Sequence, residues 1–168
     1  MKTFKQYLES LKACDNAIKW AGYKPVEQVV AECHRGDWLL WLAKKCGVEL
    51  QPLTLAKGHC ANTVRYLMTD ERSVKAIDVA IAFGEGRATR DELDTAAACA
   101  ATAAGWAATA AYAAAYAADA AASSDAATSA AYAAGDADAA ANQQQTADIC
   151  RKYIGDLIIE KVNQHLNP

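Results

Sequence analysis

The chain has 168 residues, a formal net charge of −3 and a mean hydropathy of −0.09, although 53% of its residues are hydrophobic. Alanine explains the contrast, because its methyl group counts as hydrophobic but buries little apolar area. The length is typical of one domain with its own core, and neither a run of roughly 20 strongly apolar residues nor a secretory signal is visible, so we expect a cytoplasmic protein without a membrane partner.

Basic and acidic residues are separated along the sequence. Residues 1–90 carry a small excess of Lys and Arg, whereas residues 91–148 are acidic and contain no Lys or Arg. We therefore predict one helical domain, residues 1–168, in which short, mildly basic helices of residues 1–88 pack against long, acidic, alanine-rich helices of residues 89–168. The basic excess is too small and too scattered to make nucleic acid an expected partner.

Apolar spacings of three and four residues predict several short helices in the first part of the chain. The first covers about Phe4–Leu11, and the second covers about Ala13–Ala21, where Gly22 provides a stop. Pro25 suits the first turn of a third helix. Asp37 is expected to cap the amino terminus of a fourth helix, because its carboxylate can accept the free amides there.

The predicted fourth helix contains five consecutive large apolar residues, from Trp38 to Leu42. Such a run cannot face a single side of a helix, because neighbouring residues point about 100 degrees apart. We therefore expect either a helix that is buried nearly all round or a cleft lined by Trp38 or Trp41.

Two further helices are predicted before the alanine-rich region. The fifth runs from Pro52 to about Met68 and carries His59 and Arg65. The sixth covers about Asp70–Gly84, with an Asp cap at its start and glycines after its end.

Residues 95–141 are mostly alanine and organise the chain. Thr89 and Glu92 precede them with the spacing of a capping box, which predicts the start of a long helix. Alanine has the best helix propensity. Its small side chain also lets helix axes approach to roughly 8 Å, so we expect other helices to pack around this one. Larger residues recur on one face of it, and we call this set the stripe: Thr95, Cys99, Thr102, Trp106, Thr109, Tyr112 and Tyr116.

The alanine-rich region should bend or break at Ser123–Asp125, because short polar side chains compete for backbone hydrogen bonds. A last helix is predicted from there past Gly135 to about Val162. No segment alternates with the period of two that strands require. The predicted fold class is therefore all-α, a multi-helix bundle with short amino-terminal helices packed around long alanine-rich carboxy-terminal helices.

The six cysteines are widely spaced, and each occupies a position where a helical pattern buries a small residue. Reduced core thiols are therefore expected, and zinc ligation by the Cys33-His34 and His59-Cys60 pairs is the weaker alternative. We predict no metal site and no cofactor.

Common enzyme signatures, including phosphate-binding and metalloprotease motifs, are absent from the sequence. His59 adjoins Cys60, but neighbouring residues on a helix point apart, so we predict no catalytic residue. Two hypotheses compete for the aromatic and hydroxyl side chains: they pack as ordinary core residues, or they line a binding pocket. The candidate ligand-binding residues are Trp38, Trp41, His59, Arg65, Trp106, Thr109, Tyr112 and Tyr116.

A resemblance to known proteins rests on three motifs that precede the alanine-rich tract. They are Ala13-Cys14-x-x-Ala17-x-x-Trp20, Asp37-Trp38-Leu39-x-Trp41-Leu42 and Asp70-x-Arg72-x-x-Lys75-Ala76-Ile77. Together with the tract, they resemble a group of small alanine-rich helical proteins of phages and prophages. The third motif and the tract also resemble immunity proteins of polymorphic-toxin systems. These resemblances imply a helical fold and a role in conflict between phage, bacterium or toxin.

We therefore expect a non-enzymatic phage counter-defence protein, in the host cytoplasm, that sequesters a small nucleotide-derived immune signal. Arg35, Arg65, Arg72 and Lys75 would bind its phosphate if they converged on the aromatic face. One alternative is an immunity-type protein whose partner is a toxin or a host defence protein. It would neutralise that partner through a surface such as Asp119–Asp138. A second is an enzyme that cleaves a signalling nucleotide. Helices rich in small residues also favour assembly into a homo-oligomer.

Overall fold

The computed structural model describes residues 2–104, 117, 119, 125–134 and 138–167, and the regular secondary structure within them is helical throughout. The predicted all-α fold is confirmed. The described helices are α1 (Phe4–Ser10), α2 (Asp15–Ala21), α3 (Val26–Glu32), α4 (Gly36–Cys46), α5 (Leu50–Asn62), α6 (Glu71–Gly84), α7 (Arg90–Ala104), α8 (Asp125–Ala133) and α9 (Ala139–Leu166), with a 3₁₀ turn at Arg65–Leu67.

Side-chain caps fix several helix starts. The predicted capping box before α7 is confirmed, because the Glu92 amide donates to Thr89 Oγ1 at 3.3 Å and the Thr89 amide donates to Glu92 Oε2 at 2.7 Å. The predicted Asp70 cap of α6 is also present, with the Arg72 amide donating to the Asp70 carboxylate at 2.8 Å. These bonds satisfy amides that a helix amino terminus leaves without partners.

Two predicted helix ends were wrong. Asp37 does not cap α4, because its carboxylate binds the Arg35 guanidinium and the helix begins at Gly36 without a side-chain cap. The fifth helix ends at Asn62 rather than Met68. There the Thr63 hydroxyl donates to the Cys60 carbonyl at 2.7 Å and so engages the oxygen that a further helical turn would use.

The predicted last helix is two helices. Helix α8 ends at Ala133, and α9 begins at Ala139. Gly135 lies between them, outside the described residues. The 28 residues of α9 give it a length of about 42 Å.

Buried side chains form two clusters. The large-residue core surrounds α9, which contributes Ile154, and it draws Leu, Val and Phe side chains from α1, α3, α4 and α5, including Leu39 and Leu40. The alanine core is formed by side chains from the end of α5 and from α6, α7 and α8. Most of its buried members are alanines: Ala61, Ala76, Ala80, Ala96, Ala100, Ala117, Ala126 and Ala130.

Glycines bring helix backbones close together in both parts of the bundle. A Cβ atom at Gly84 of α6 would lie 2.7 Å from the Cα atom of Leu55 in α5. A Cβ atom at Gly36 of α4 would lie 2.5 Å from Thr146 Oγ1 in α9. Both separations are below van der Waals contact, so the helices approach more closely than any larger residue would allow.

The cysteine prediction was right for four residues and wrong for two. Cys33, Cys46, Cys60 and Cys150 are buried free thiols, and the Sγ atoms of Cys60 and Cys150 lie 3.9 Å apart between α5 and α9. Cys14 and Cys99 are exposed. Cys14 precedes the first turn of α2, and Cys99 lies within α7.

Candidate ligand-binding site

A concave site of about 370 Å³ opens between the first four helices. We call it the tryptophan groove, because Trp20, Trp38 and Trp41 line it together. Most of its other walls are apolar, and its charged lining residues are Lys12 and Asp37. The remaining lining residues are Phe4, Leu8, Ala13, Cys14, Ala17, Ala21, Val29, Cys33, Leu39 and Leu42.

The sequence of α4 explains why two tryptophans reach the groove. Leu40 and Ala43 are fully buried against the rest of the bundle, which leaves the opposite side of the helix less covered. Trp38 and Trp41 are three residues apart, so they lie on one face of α4 and remain half-buried. The run of five large apolar residues thus divides between the core and the groove.

Helix α2 contributes the third tryptophan. The Trp20 ring packs edge-on against Trp38, with ring centroids 6.1 Å apart and an interplanar angle of 60°. The His34 ring makes a second edge contact with Trp20, and the two ring centroids lie 6.0 Å apart. Edge-to-face pairs at such distances are favourable because the positive edge of one ring meets the negative face of the other.

A cation lies over each of these three rings. Lys24 Nζ is 4.2 Å from the centroid of Trp20, and the Arg35 guanidinium carbon is 4.9 Å from that of Trp38. Lys45 Nζ is 5.9 Å from the Trp41 centroid. Cation–π attraction therefore restrains the rings from outside the groove.

The junction between α3 and α4 is fixed by charged hydrogen bonds. Arg151 of α9 donates to the Cys33 carbonyl at 2.5 Å and so satisfies an oxygen at the carboxyl end of α3. Arg35 donates to both carboxylate oxygens of Asp37 at 2.8 and 2.6 Å, which raises the pKa of the Arg35 guanidinium. These bonds hold the start of α4, and with it Trp38, in place.

Cys33 lies on the floor of the groove, but its environment does not activate it. Burial is the main cause that raises the pKa of its thiol above the ordinary value. A protonated thiol is a weak nucleophile. The groove therefore has walls suited to binding rather than a prepared nucleophile.

The other described candidates from the sequence lie outside this groove. His59 is half-buried in α5 and stacks on Tyr153 of α9, with ring centroids 4.6 Å apart and planes 4° from parallel. Burial lowers the pKa of His59. Arg65 belongs to the 3₁₀ turn and pairs with both carboxylate oxygens of Asp78, at 2.5 and 3.0 Å.

Four candidate residues of the stripe lie outside the described residues: Trp106, Thr109, Tyr112 and Tyr116. The beginning of the stripe is described, and there Thr95 and Cys99 line a second cavity.

This second cavity, of about 410 Å³ between α6 and α7, also contains Arg72 and Lys75. Two of the four predicted phosphate-binding cations therefore meet the stripe. The cavity is less suited to an anion than its cations suggest, because Asp91 and Glu92 also line it. In addition, Arg72 already binds Asp70 through two hydrogen bonds of 3.0 and 2.7 Å.

The described residues contain neither a cluster of metal ligands nor a membrane-spanning helix. No group of three or more His, Cys, Asp or Glu side chains there is arranged to hold a metal ion. Nor does any described helix combine the length and apolar character that crossing a membrane requires.

Sequence reasoning missed Trp20 and Lys12 as site residues. The helical pattern predicts only a buried helix face for Trp20, although three of the four tryptophans occur within residues 20–41. That concentration in two short neighbouring helices was the available signal. Lys12 gave no such signal, because its position at the groove depends on the backbone turn after α1.

Fold and site together define an all-helical protein with an aromatic groove on the side of its large-residue core. No family model, curated protein or solved structure matches the chain. The resemblance to phage and immunity proteins therefore stays a prediction.

Proposed function

We propose that this protein binds and sequesters a small planar ligand in the tryptophan groove without transforming it. The observation that carries the proposal is the convergence of Trp20, Trp38 and Trp41 on one apolar groove of about 370 Å³. This volume is within the usual range of small-molecule sites, roughly 300–1,000 Å³. Stacking on one aromatic side chain contributes about 1–3 kcal/mol per base.

A nucleotide-derived immune signal is the ligand class that best joins the groove to the phage resemblance. Every nucleobase has a flat π-face that a tryptophan can stack against, whatever its hydrogen-bonding edge. Sequestration requires affinity and no bond-breaking groups. The raised pKa of the Cys33 thiol and the position of His59 on Tyr153 both agree with binding alone. In a phage setting, this activity would be counter-defence.

Isothermal titration calorimetry with a panel of nucleosides, cyclic nucleotides and ADP-ribose derivatives tests the proposal. We expect at least one member of the panel to bind with a stoichiometry of one. Combining Trp38→Ala with Trp41→Ala should weaken that binding at least tenfold, because each substitution removes a stacking surface. Chromatography of the ligand after incubation should recover it unchanged, whereas turnover would favour the enzyme alternative.

Tyr66→Ala provides a matched control, because Tyr66 is 74% exposed in the 3₁₀ turn and does not line the groove. Circular dichroism should give the same helical content for all variants. If no panel member binds, or if binding survives loss of both tryptophans, the proposed site is wrong.

An immunity-type protein is the second candidate, and a different surface favours it. Tyr132 is 74% exposed on α8, and Asp125 and Asp138 are exposed in the same acidic part of the chain. Exposed tyrosines are common where proteins bind one another. In a toxin-protection assay, this function predicts that Tyr132→Ala loses protection and that Trp38→Ala keeps it. The sequestering function predicts that neither the wild type nor the variants protect.

A further inference from the structure

The turn after α1 has a backbone conformation that usually selects glycine. Lys12 has φ +59°, and no other described non-glycine residue has a positive φ. Its amide donates to the Glu9 carbonyl at 3.0 Å, and the Ala13 amide donates to the Leu8 carbonyl at 3.1 Å, so the turn closes the carboxyl end of α1. The Cβ atom of an L-residue is crowded in this conformation. A lysine here is thus locally unfavourable.

This turn places Lys12 in the wall of the tryptophan groove. The second charged residue of the wall, Asp37, is already neutralised by two hydrogen bonds from Arg35. Within the described part of the chain, the Lys12 side chain has neither a hydrogen bond nor an ion pair. Lys12 therefore supplies the uncompensated charge of an otherwise apolar groove.

We infer that the ligand of the tryptophan groove is a planar aromatic anion, and that Lys12 selects it by pairing with its negative group. The inference rests on the proposed function and names the ligand class for the same site. The rings bind the planar body of the ligand, and the ammonium group binds a phosphate or carboxylate at its edge. Lys12 is itself exposed, so its charged hydrogen bond with the ligand adds a modest free energy to the stacking of the rings.

Matched neutral and anionic probes test this selection. Indole-3-acetamide and indole-3-acetate have nearly the same shape and differ in charge, and adenosine with adenosine 5′-monophosphate tests a phosphate in the same way. By calorimetry, the wild-type protein should bind the anion of at least one pair roughly three- to tenfold more tightly than its neutral partner. The pair that binds distinguishes a carboxylate ligand from a nucleotide.

Lys12→Gly is an informative variant because glycine is favoured at this φ. It removes the cation and relieves the backbone, so the variant should unfold at the same temperature as the wild type or higher. We expect it to bind the anionic and neutral probes with equal affinity, while its affinity for the neutral probe stays at the wild-type value. Lys12→Asn, which also tolerates this conformation, should give the same result.

Lys19→Gln is the control, because Lys19 is exposed on α2 and does not line the groove. It should keep the preference for the anion. If the wild type binds both members of each pair equally, or if Lys12→Gly retains the preference, the inference fails and the sequestering function stands. If neither member of either pair binds while the proteins remain folded, the inference fails; if no member of the nucleotide panel binds either, the proposed function fails with it.

Discussion

The two cores of this protein are built from different residues, and each borders a different kind of cavity. In the large-residue core, side chains such as Leu39 and Ile154 fill the space between helices. In the alanine core, methyl groups such as those of Ala76 and Ala80 fill it. Because an alanine buries much less apolar area than a leucine or isoleucine, the alanine core is stabilised less per residue.

The cavities follow from this difference. The large-residue core has more bulky apolar residues in α4 than it can enclose, and the excess tryptophans line an apolar groove. The alanine core has side chains too short to fill the space at its edge, and charged residues of α6 and α7 line that cavity instead. The first cavity therefore has mainly apolar walls, whereas the second has several charged ones.

Ile154→Ala should destabilise the protein more than truncation of a buried alanine in the alanine core does. Ile154 is fully buried in α9, so the change removes apolar contacts and leaves a cavity. We expect the free energy of unfolding to fall by about 4 kcal/mol. Ala80→Gly is the corresponding truncation in the alanine core, and it should cost about 1 kcal/mol through helix propensity. Urea denaturation of both variants would measure the contrast, and equal losses would show that the two cores do not differ as described.

Gly84→Ala tests whether backbone proximity supports the packing of α5 against α6. The new Cβ atom would lie 2.4 Å from Leu55 Cβ and 2.7 Å from Leu55 Cα. A backbone atom cannot move aside as the end of a flexible side chain can, so the helices must separate. We expect a loss of about 2–3 kcal/mol in the free energy of unfolding by urea denaturation. A loss below about 0.5 kcal/mol would mean that this interface is not closely packed.

Lys57 connects the short helices with the alanine-rich region through a buried charge. It is fully buried in α5, and its ammonium group donates to the Asp119 carbonyl. Burial lowers the pKa of Lys57 from 10.5 to about 8, with Asp119 and Asp125 acting in the opposite direction and Lys44 and Arg90 in the same direction. The unfolded chain therefore binds the Lys57 proton more tightly than the folded protein does.

This difference fixes the sign of a pH dependence. Between about pH 8 and 10.5 the folded state loses the Lys57 proton while the unfolded state keeps it, so this residue makes stability rise with pH. Lys57→Met removes the charge and keeps a long side chain. We expect the variant to be about 1–2 kcal/mol more stable than the wild type at pH 7, and the advantage to shrink towards pH 10.5.

Urea denaturation of both proteins at several pH values would measure this advantage. Lys19→Met, on an exposed face of α2, controls for the loss of a lysine and should show no pH-dependent advantage. An advantage of Lys57→Met that stayed constant from pH 7 to 10.5 would contradict the lowered pKa.

Local signals in the sequence were sufficient for most of the helices. The apolar spacing of α1 and α6 and the Thr89–Glu92 capping box involve residues within one or two turns, so their physics is visible without the fold. The predictions of the cap at the start of α4 and of the last residue of α5 were wrong, because both depend on competing hydrogen bonds. The Asp37 carboxylate binds Arg35 instead of backbone amides, and the Thr63 hydroxyl binds a carbonyl at the end of α5.

The candidate site could be predicted only in part, for the same reason. The crowded run in α4 indicated either a helix buried nearly all round or a cleft lined by Trp38 or Trp41, because one helix face cannot bury five large residues. Trp20 and Lys12 reach that cleft through the turns at residues 11–14 and 22–25, which no periodicity reveals. Arg65 was grouped with the aromatic residues by charge alone, and its pairing with Asp78 follows from the packing of α6 beside the 3₁₀ turn.

Gly155→Ala has the smallest expected effect and the opposite sign to Gly84→Ala. Gly155 lies within α9 beside the large-residue core, where the nearest atom to a new Cβ would be Val30 Cγ1 at 3.4 Å, an ordinary van der Waals contact. Alanine also restricts the unfolded chain and favours helix, so the free energy of unfolding should rise by about 0.5–1 kcal/mol. Thermal unfolding followed by circular dichroism would measure the gain. If Gly155→Ala instead destabilised the protein as much as Gly84→Ala, α9 would be packed against Val30 as tightly as α6 is packed against Leu55, and the ordinary contact at Gly155 would be contradicted.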